Sequence, residues 1–331
     1  MKKAVLVVAL VGSIVMGCGQ QATGPAEGDL TIGVMPKLVG IGFFNAAQRG
    51  ALEAGEELGI TVDYDGPTTS DVEQQSRLLD TWVARGYDGI AVAPNDPDAI
   101  APALSRARDR GIDVITWDAD AQEQARDFFV NQATAESVAQ TLMDIMAEEV
   151  GEDARYIIIT GSLTAANQNI WMEEMEKYRQ ERYPDMTNLS PTPIAPGEDQ
   201  ARATQMATDA LQTYSDLDGI FAITSVALPG AAEALRRADA AEDVFLTGLA
   251  TPNDMREYVK DGTVRRFALW NPVDLGYLAV HAAVASARGE LEPGMTSFEA
   301  GRLGEVAVEG DEILLGAPMI FDENNIDDFD F

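Results

Sequence analysis

The stretch LTIGVMPKLVGIGFFNAAQRGA, Leu30–Ala51, sets a short apolar, β-branched run directly before a helical pattern. Leu30–Met35 has the length and composition of a buried strand, and Phe44–Leu58 repeats its apolar residues at helical spacing. A junction built only for stability would place a Ser, Thr or Asp at the helix N-cap and hide its aromatics. This one presents Lys37, Gly40, Gly42 and the pair Phe43-Phe44 instead. Such a junction is shaped around something other than its own stability.

The same strand-then-helix rhythm runs outward from this stretch. Further strand candidates are Thr61–Tyr64, Gly89–Ala93, Val114–Trp117, Tyr156–Thr160, Gly219–Ala222, Val244–Gly248 and Phe267–Trp270. Between them, helical periodicity marks 72–84, 99–110, 136–150, 169–182, 200–213 and 227–238. Alternation of this kind predicts an α/β fold with parallel sheets and crossover helices. A break near Phe129-Val130-Asn131-Gln132, followed by a second series with the same rhythm, predicts two similar doubly wound lobes. The segment Phe267–Pro272 has the character of a crossing back to the first lobe. The expected boundaries are 30–131 plus 271–297 for the N-terminal lobe and 132–270 plus 298–331 for the C-terminal lobe, joined by a multi-strand hinge.

A chain of 331 residues with 46% apolar and 7% aromatic residues is long enough for two such cores. Its charge is unusual: 55 acidic against 23 basic residues give a formal net charge of -32. That balance argues against nucleic acid, whose phosphates need a Lys/Arg footprint, and against adsorption to anionic lipid. Solubility and a saline habitat are both compatible with it. At the N-terminus, Lys2 and Lys3 precede an apolar run, Ala4–Met16, and then Gly17-Cys18. This is the pattern of a secretory signal, and it is too short for a stable transmembrane helix. Val15-Met16-Gly17-Cys18 resembles a bacterial lipobox with Val where Leu is usual, which makes residues 1–18 a lipoprotein signal ending at lipidated Cys18 and 19–29 a flexible tether. Cys18 is the only Cys, so neither an intramolecular disulfide nor a Cys-based metal site is expected.

In doubly wound sheets, ligands bind outside the carboxyl ends of the strands. The residues there are Lys37 with Phe43 and Phe44, Thr68, Asn95-Asp96 and Asp118 in the first lobe. In the second they are Asn167, Gln168 and Trp171, Thr224-Ser225, Ala250, and Trp270-Asn271 on the crossing. Planar polar groups for hydroxyls and aromatic faces for C–H suit a polyhydroxylated ring. Each residue also has a plainer use: Asp118 as a cap, Lys37 as a solvated loop charge, one of the two Phe as core, Asn95-Asp96-Pro97 as turn plus N-cap. Enzyme motifs are missing. Gly40-Ile-Gly42 runs into Phe43 rather than completing a dinucleotide fingerprint, there is no Walker lysine motif, and the lone His281 lies in an Ala-rich helix with no partner group nearby in sequence.

MPKLVGIGFFNAA, YDGPTTSDVEQQ, ITWDADA, TAANQNIW, YSDLDGIFA, ATPNDMREYVKDGTVRRFALWNP and FDENNIDDFDF together resemble the periplasmic sugar-binding proteins of the ribose-binding (type I) group. They are most similar to its autoinducer 2 and rhamnose-type receptors, and the resemblance covers Leu30–Phe331. It implies a two-lobe receptor of an ABC importer, not an enzyme, that closes on a small cyclic sugar and needs no cofactor or metal. Its implied partners are permease subunits or a membrane chemoreceptor, and the chain is expected to act as a monomer. In the autoinducer 2 receptors the ligand is held by a Lys and an Asp of the first lobe, an Asp-Gln pair, and a Pro-x-Ala. Lys37, Asp118 and Gln168 match that set, whereas Asn167 replaces the Asp and Ile223 and Ser225 replace the Pro and Ala. A neutral pentose or deoxyhexose is therefore expected to fit better than autoinducer 2.

Overall fold

The computed structural model describes residues 30–331, so the expected signal, Cys18 and the tether lie outside the described residues. The first lobe is built from β1 (Thr31–Met35), α1 (Gly42–Leu58), β2 (Thr61–Tyr64), α2 (Val72–Arg85), β3 (Gly89–Val92), α3 (Pro97–Arg108), β4 (Asp113–Trp117) and β5 (Phe128–Asn131). The chain then crosses to α4 (Ala135–Glu149), β6 (Arg155–Ile159), α5 (Ala166–Arg182), β7 (Thr187–Asn188), α6 (Gln200–Thr213), β8 (Gly219–Ala222), α7 (Ala227–Ala238), β9 (Phe245–Gly248), α8 (Pro252–Lys260) and β10 (Phe267–Leu269). It returns for α9 (Pro272–Ala287), β11 (Ser297–Glu299), β12 (Glu305–Glu309) and β13 (Glu312–Leu314), and crosses a third time to β14 (Met319–Phe321).

The first sheet has the order β11-β12-β13-β5-β4-β3-β1-β2, and the second β7-β6-β8-β9. Within each, the parallel part follows one plan: the first strand of the lobe lies inside, its successor on one side and the later strands on the other. β1, β3 and β4 are almost wholly buried because helices cover both faces, so they read as continuous apolar runs rather than alternating ones. The reversal of strand order, between β1 and β3 in one lobe and β6 and β8 in the other, opens a crevice at the carboxyl ends of the strands. Those two crevices face one another.

One strand at the break goes beyond the expected set, and one expectation about organisation is corrected. The break around Phe129–Gln132 falls at the end of a strand, β5, which pairs with β4 and β13, and the crossing begins after Asn131. Phe128 and Val130 are buried while Phe129 and Asn131 are half-buried, a period-two pattern too short to stand out beside the polar residues that follow. Residues 298–314 belong to the first lobe rather than the second. β13 adds to β5 in parallel, and β12 and β11 fold back on it as an antiparallel ribbon. β12 shows the reason in its alternation, with Val306 and Val308 inward and Glu305, Ala307 and Glu309 outward. Arg126, buried, pins this extension by pairing with Asp120 and with Asp311 of the hairpin turn. Beyond β13 the chain does reach the second lobe, where β14 pairs antiparallel with β10.

The helices α1 and α9 cross backbone to backbone. A Cβ at Gly50 would lie 1.7 Å from the Val273 carbonyl, and one at Gly276 2.0 Å from that of Ala47. This crossing fixes α1, and with it the Phe43-Phe44 pair at its start. Gly276→Ala should therefore destabilise the protein by about 1–3 kcal/mol, the usual cost of overpacking, seen in urea unfolding as a lower midpoint at unchanged slope. A second expectation concerns the acidic surface. If repulsion among its carboxylates opposes folding, stability will climb as added salt shortens the Debye length from about 30 Å at 0.01 M to about 3 Å at 1 M; thermal melts across that range check it, and a flat response excludes repulsion as a significant term.

Candidate ligand-binding cleft between the lobes

Lys37 follows β1 and Asp118 follows β4, which brings both to the carboxyl edge of the first sheet. Each is only about 5% exposed, and Lys37 Nζ lies 3.0 Å from Asp118 Oδ2. Asp118 holds a left-handed backbone, φ 61°, in a tight turn where Ala119 N–H donates to the Trp117 carbonyl at 2.6 Å. Asp tolerates this region better than most residues, yet it remains unfavourable for an L-residue. The turn directs the carboxylate into the cleft.

From the second lobe, the first turn of α5 supplies Asn167 and Gln168. Lys37 Nζ donates to Asn167 Oδ1 at 2.9 Å, and Asn167 Nδ2 donates to the Asp118 carbonyl at 3.1 Å. The Asn amide thus joins the lobes through both of its polar atoms. An Asp here would place a carboxylate oxygen against that carbonyl. Gln168 is held by its own acceptor: Oε1 takes hydrogen bonds from Thr160 Oγ1 at 2.7 Å and Gly161 N–H at 2.8 Å. Its Nε2 donates to Glu198 Oε1 at 3.1 Å. Burial, together with the Asp118 charge, raises the Glu198 carboxyl pKa above its ordinary value, against the opposing pull of the Lys37 charge and of the contacts from Gln168 and Thr224.

An aromatic wall completes the cavity. Phe43 meets Phe44 edge-on with centroids 5.1 Å apart, Phe43 meets Trp270 at 6.1 Å, and Trp270 meets Trp171 at 5.7 Å. The wall therefore spans α1, the second crossing and α5. The indole N–H of Trp270, itself 3% exposed, is buried without a hydrogen-bond partner. A buried donor left unpaired costs about 1–3 kcal/mol, and an oxygen acceptor within the cavity would remove that cost.

Lys37, Phe43, Phe44, Asp118, Asn167, Gln168, Trp171, Ile223, Ser225 and Trp270 line this one cavity. Three residues expected there do not. Thr68 is exposed on the loop after β2, the edge strand, too far from the reversal of strand order to reach the crevice. Ala250 is fully buried behind Leu249, which lines the cavity in its place. Asn271 caps α9, its Oδ1 accepting from the Val273 and Asp274 N–H groups. Asp96 likewise caps α3, and Asn95 Nδ2 donates to the Lys37 carbonyl at 2.8 Å, steadying the loop that carries the lysine. Thr224, read at its strand end beside Ser225, lines the cavity too, whereas Ile41 and Glu198 enter it without having been anticipated. Glu198 sits in Pro-Gly-Glu-Asp between β7 and α6, which reads in sequence as an ordinary polar loop. His281 is buried against Tyr277, centroids 4.4 Å apart, and burial lowers its pKa. It belongs to the α9 packing and not to the cleft. Among the described residues no group of His, Cys, Asp and Glu could hold a metal ion.

Two parallel-sheet lobes, three crossings and one polar cavity between them define a two-lobe binding protein. A model described as periplasmic binding protein domain matches residues 32–291, and the chain belongs to that family. It is a binding protein of type I architecture rather than an enzyme. Among curated relatives, the D-allose-binding periplasmic protein of Escherichia coli is 24% identical over 246 residues, 71% of this chain and 77% of the relative. The ribose import binding protein RbsB of Bacillus subtilis is 22% identical over 77% of this chain and 81% of its own length. Among solved structures, LsrB from Clostridium saccharobutylicum in complex with AI-2 superposes with a TM-score of 0.88 at 29% identity, covering 91% of this chain and 100% of that one. A solute-binding protein from Clostridium phytofermentas with bound L-rhamnose gives 0.86 at 28% identity, over 91% and 98% of the two chains.

The Lys37–Asp118–Asn167 contacts are specific enough to test. Asp118→Ala removes a charged acceptor, and hydrogen bonds to charged groups contribute about 1.5–3 kcal/mol, so affinity for whichever sugar binds the wild type should fall at least about tenfold. Calorimetry measures this directly; unchanged affinity would reduce Asp118 to a turn residue.

Proposed function

We propose that the protein is the extracytoplasmic receptor of an ABC importer for a small neutral cyclic sugar, a pentose or a deoxyhexose, taken up between the two lobes. The observation that carries this is the convergence of Lys37, Asp118, Asn167 and Gln168 from both lobes on one cavity walled by Phe43, Phe44, Trp171 and Trp270. Polar groups at one side and aromatic faces at the other match a ring with hydroxyls on its edge and an apolar face. A ligand that touches both lobes binds the closed arrangement better than the open one, and so shifts the population toward closure. The rhamnose-bound and allose-binding relatives support a sugar. The lipidated Cys18, read from the sequence alone, would tether the receptor to a membrane, with permease subunits or a chemoreceptor as its partners.

Autoinducer 2 is the alternative ligand, supported by the likeness to the AI-2-bound LsrB. Asn167, Ile223 and Ser225 weigh against it, since all three line the cavity where the autoinducer 2 receptors carry other residues. Buried polar atoms matched to one donor pattern are left unpaired by another, at about 1–3 kcal/mol each. Thermal-shift measurements with D-ribose, D-xylose, L-arabinose, L-rhamnose, D-fucose and autoinducer 2 separate the two ligand classes. The expected result is stabilisation by a pentose or deoxyhexose that grows with ligand concentration. Stabilisation by autoinducer 2 alone would overturn the sugar assignment, and chemical change of a bound sugar would overturn the receptor assignment.

A further inference from the structure

The second lobe carries a carboxylate in the cleft that its α5 position, Asn167, does not supply. Glu198 lines the same cavity from the loop between β7 and α6, and Gln168 Nε2 donates to its Oε1 at 3.1 Å. Its backbone adopts φ 32°, a conformation that disfavours residues other than glycine. The neighbouring strand end is cut away to admit it: a Cβ on Gly161 would stand 2.1 Å from Glu198 Oε1. A strained backbone and a side-chain-free neighbour together bring one carboxylate into the cleft. That carboxylate has about four acceptor positions. The Gln168 amide takes one and the Thr224 side chain contacts another, which leaves acceptor capacity on a group that lines the cavity.

We propose that Glu198 is the second lobe's acceptor for ligand hydroxyls, and that with Asp118 on the opposite lobe it restricts the cleft to neutral polyols, excluding sugar acids and sugar phosphates. This rests on the sugar-receptor reading above and narrows it. One ammonium, Lys37, and two carboxyl groups, Asp118 and Glu198, are the titratable side chains that line the cavity, and the ammonium is already paired with Asp118 at 3.0 Å, so an anionic ligand meets no unpaired cation there. A hydroxyl donates to a carboxylate, whereas an anionic substituent brings a like charge into a dry site where it is poorly screened. The two carboxylates come from different lobes, so a ligand must offer donors at both of its edges to be held in the closed cleft.

Calorimetry with matched ligands tests this: D-fucose against D-galacturonate, which carries a carboxylate on the same ring, and D-ribose against D-ribose 5-phosphate, with L-rhamnose and D-arabinose as further neutral probes. The wild type should bind at least one neutral sugar and reject the anionic partners by a hundredfold or more. Glu198→Gln should weaken the neutral sugar at least tenfold and narrow the gap to the anion. Glu198→Asp, which keeps the charge one methylene further back, should retain the discrimination; melting curves of the free proteins establish that both variants fold. Equal binding of a neutral sugar and its anionic partner by the wild type, unchanged affinities in Glu198→Gln, or identical behaviour of the Gln and Asp variants would each overturn the role of Glu198 while leaving the sugar receptor standing. Failure of every neutral sugar to bind the wild type would overturn the receptor reading itself, and this inference with it.

Discussion

An ammonium group buried between two lobes is the constraint around which the cleft is arranged. A charge of that kind is tolerated only when partners surround it, and removing one partner of a buried pair typically costs about 3–5 kcal/mol. Lys37 finds a carboxylate on its own lobe and an amide oxygen on the other. Several otherwise odd features follow. Asp118 accepts a left-handed backbone because its carboxylate must reach Lys37, at a conformational cost of about 1–2 kcal/mol that is small beside the charge it compensates. Asn95, buried under the loop, holds the Lys37 carbonyl so that the side chain leaves the strand in one direction. Asn167 completes the set with an atom of each polarity. Unlike a carboxylate, an amide can accept from an ammonium and donate to a carbonyl in the same place.

The apolar half of the cleft answers to a different requirement. Phe43 and Phe44 stand at the start of α1, whose position is set by close backbone contact with α9. Trp270 stands on the segment that leads into α9. The aromatic wall and the helix crossing are therefore one mechanical unit, and the ring faces keep their spacing for the same reason that the helices keep theirs. The polar half lacks any such scaffold. Its geometry depends on hydrogen bonds between side chains and strand ends, which is why the two halves respond to different kinds of substitution.

The fold was largely legible because parallel strands buried on both faces announce themselves as short β-branched runs between helical patterns. β1, β3, β4, β6 and β8 all have that form, and so do the helices α1, α2, α4 and α6. The strands that escaped, β5, β7 and β11 to β14, are short, at an edge, or half-exposed, and their apolar residues are too few to be told from loop. That is why residues 298–314 were assigned to the wrong lobe. In the cleft, position at a strand end identified Lys37, Asp118 and Ser225, because the sheet topology alone brings them together, while Ile223 was named only through the family resemblance. Strand-end position misplaced Thr68, whose strand lies at the edge, and Asn271, whose side chain is consumed by a helix cap. Glu198 was invisible for a third reason: nothing in a loop sequence reports that a glycine just past the end of β6, Gly161, has made room for it.

Three separate segments carry the chain between the lobes, after β5, after β10 and after β13. Each lobe is in consequence a discontinuous stretch of chain, and neither can be finished until a late segment arrives: the first lobe waits for α9 to β13, the second for β14. During synthesis the residues 30–131 emerge with the core side of α1 uncovered and the outer edge of β5 unpaired. A nascent chain in that state exposes an apolar helix face and a strand edge, the surfaces most prone to wrong association. A chain so wired gains by staying unfolded until its last segment is available.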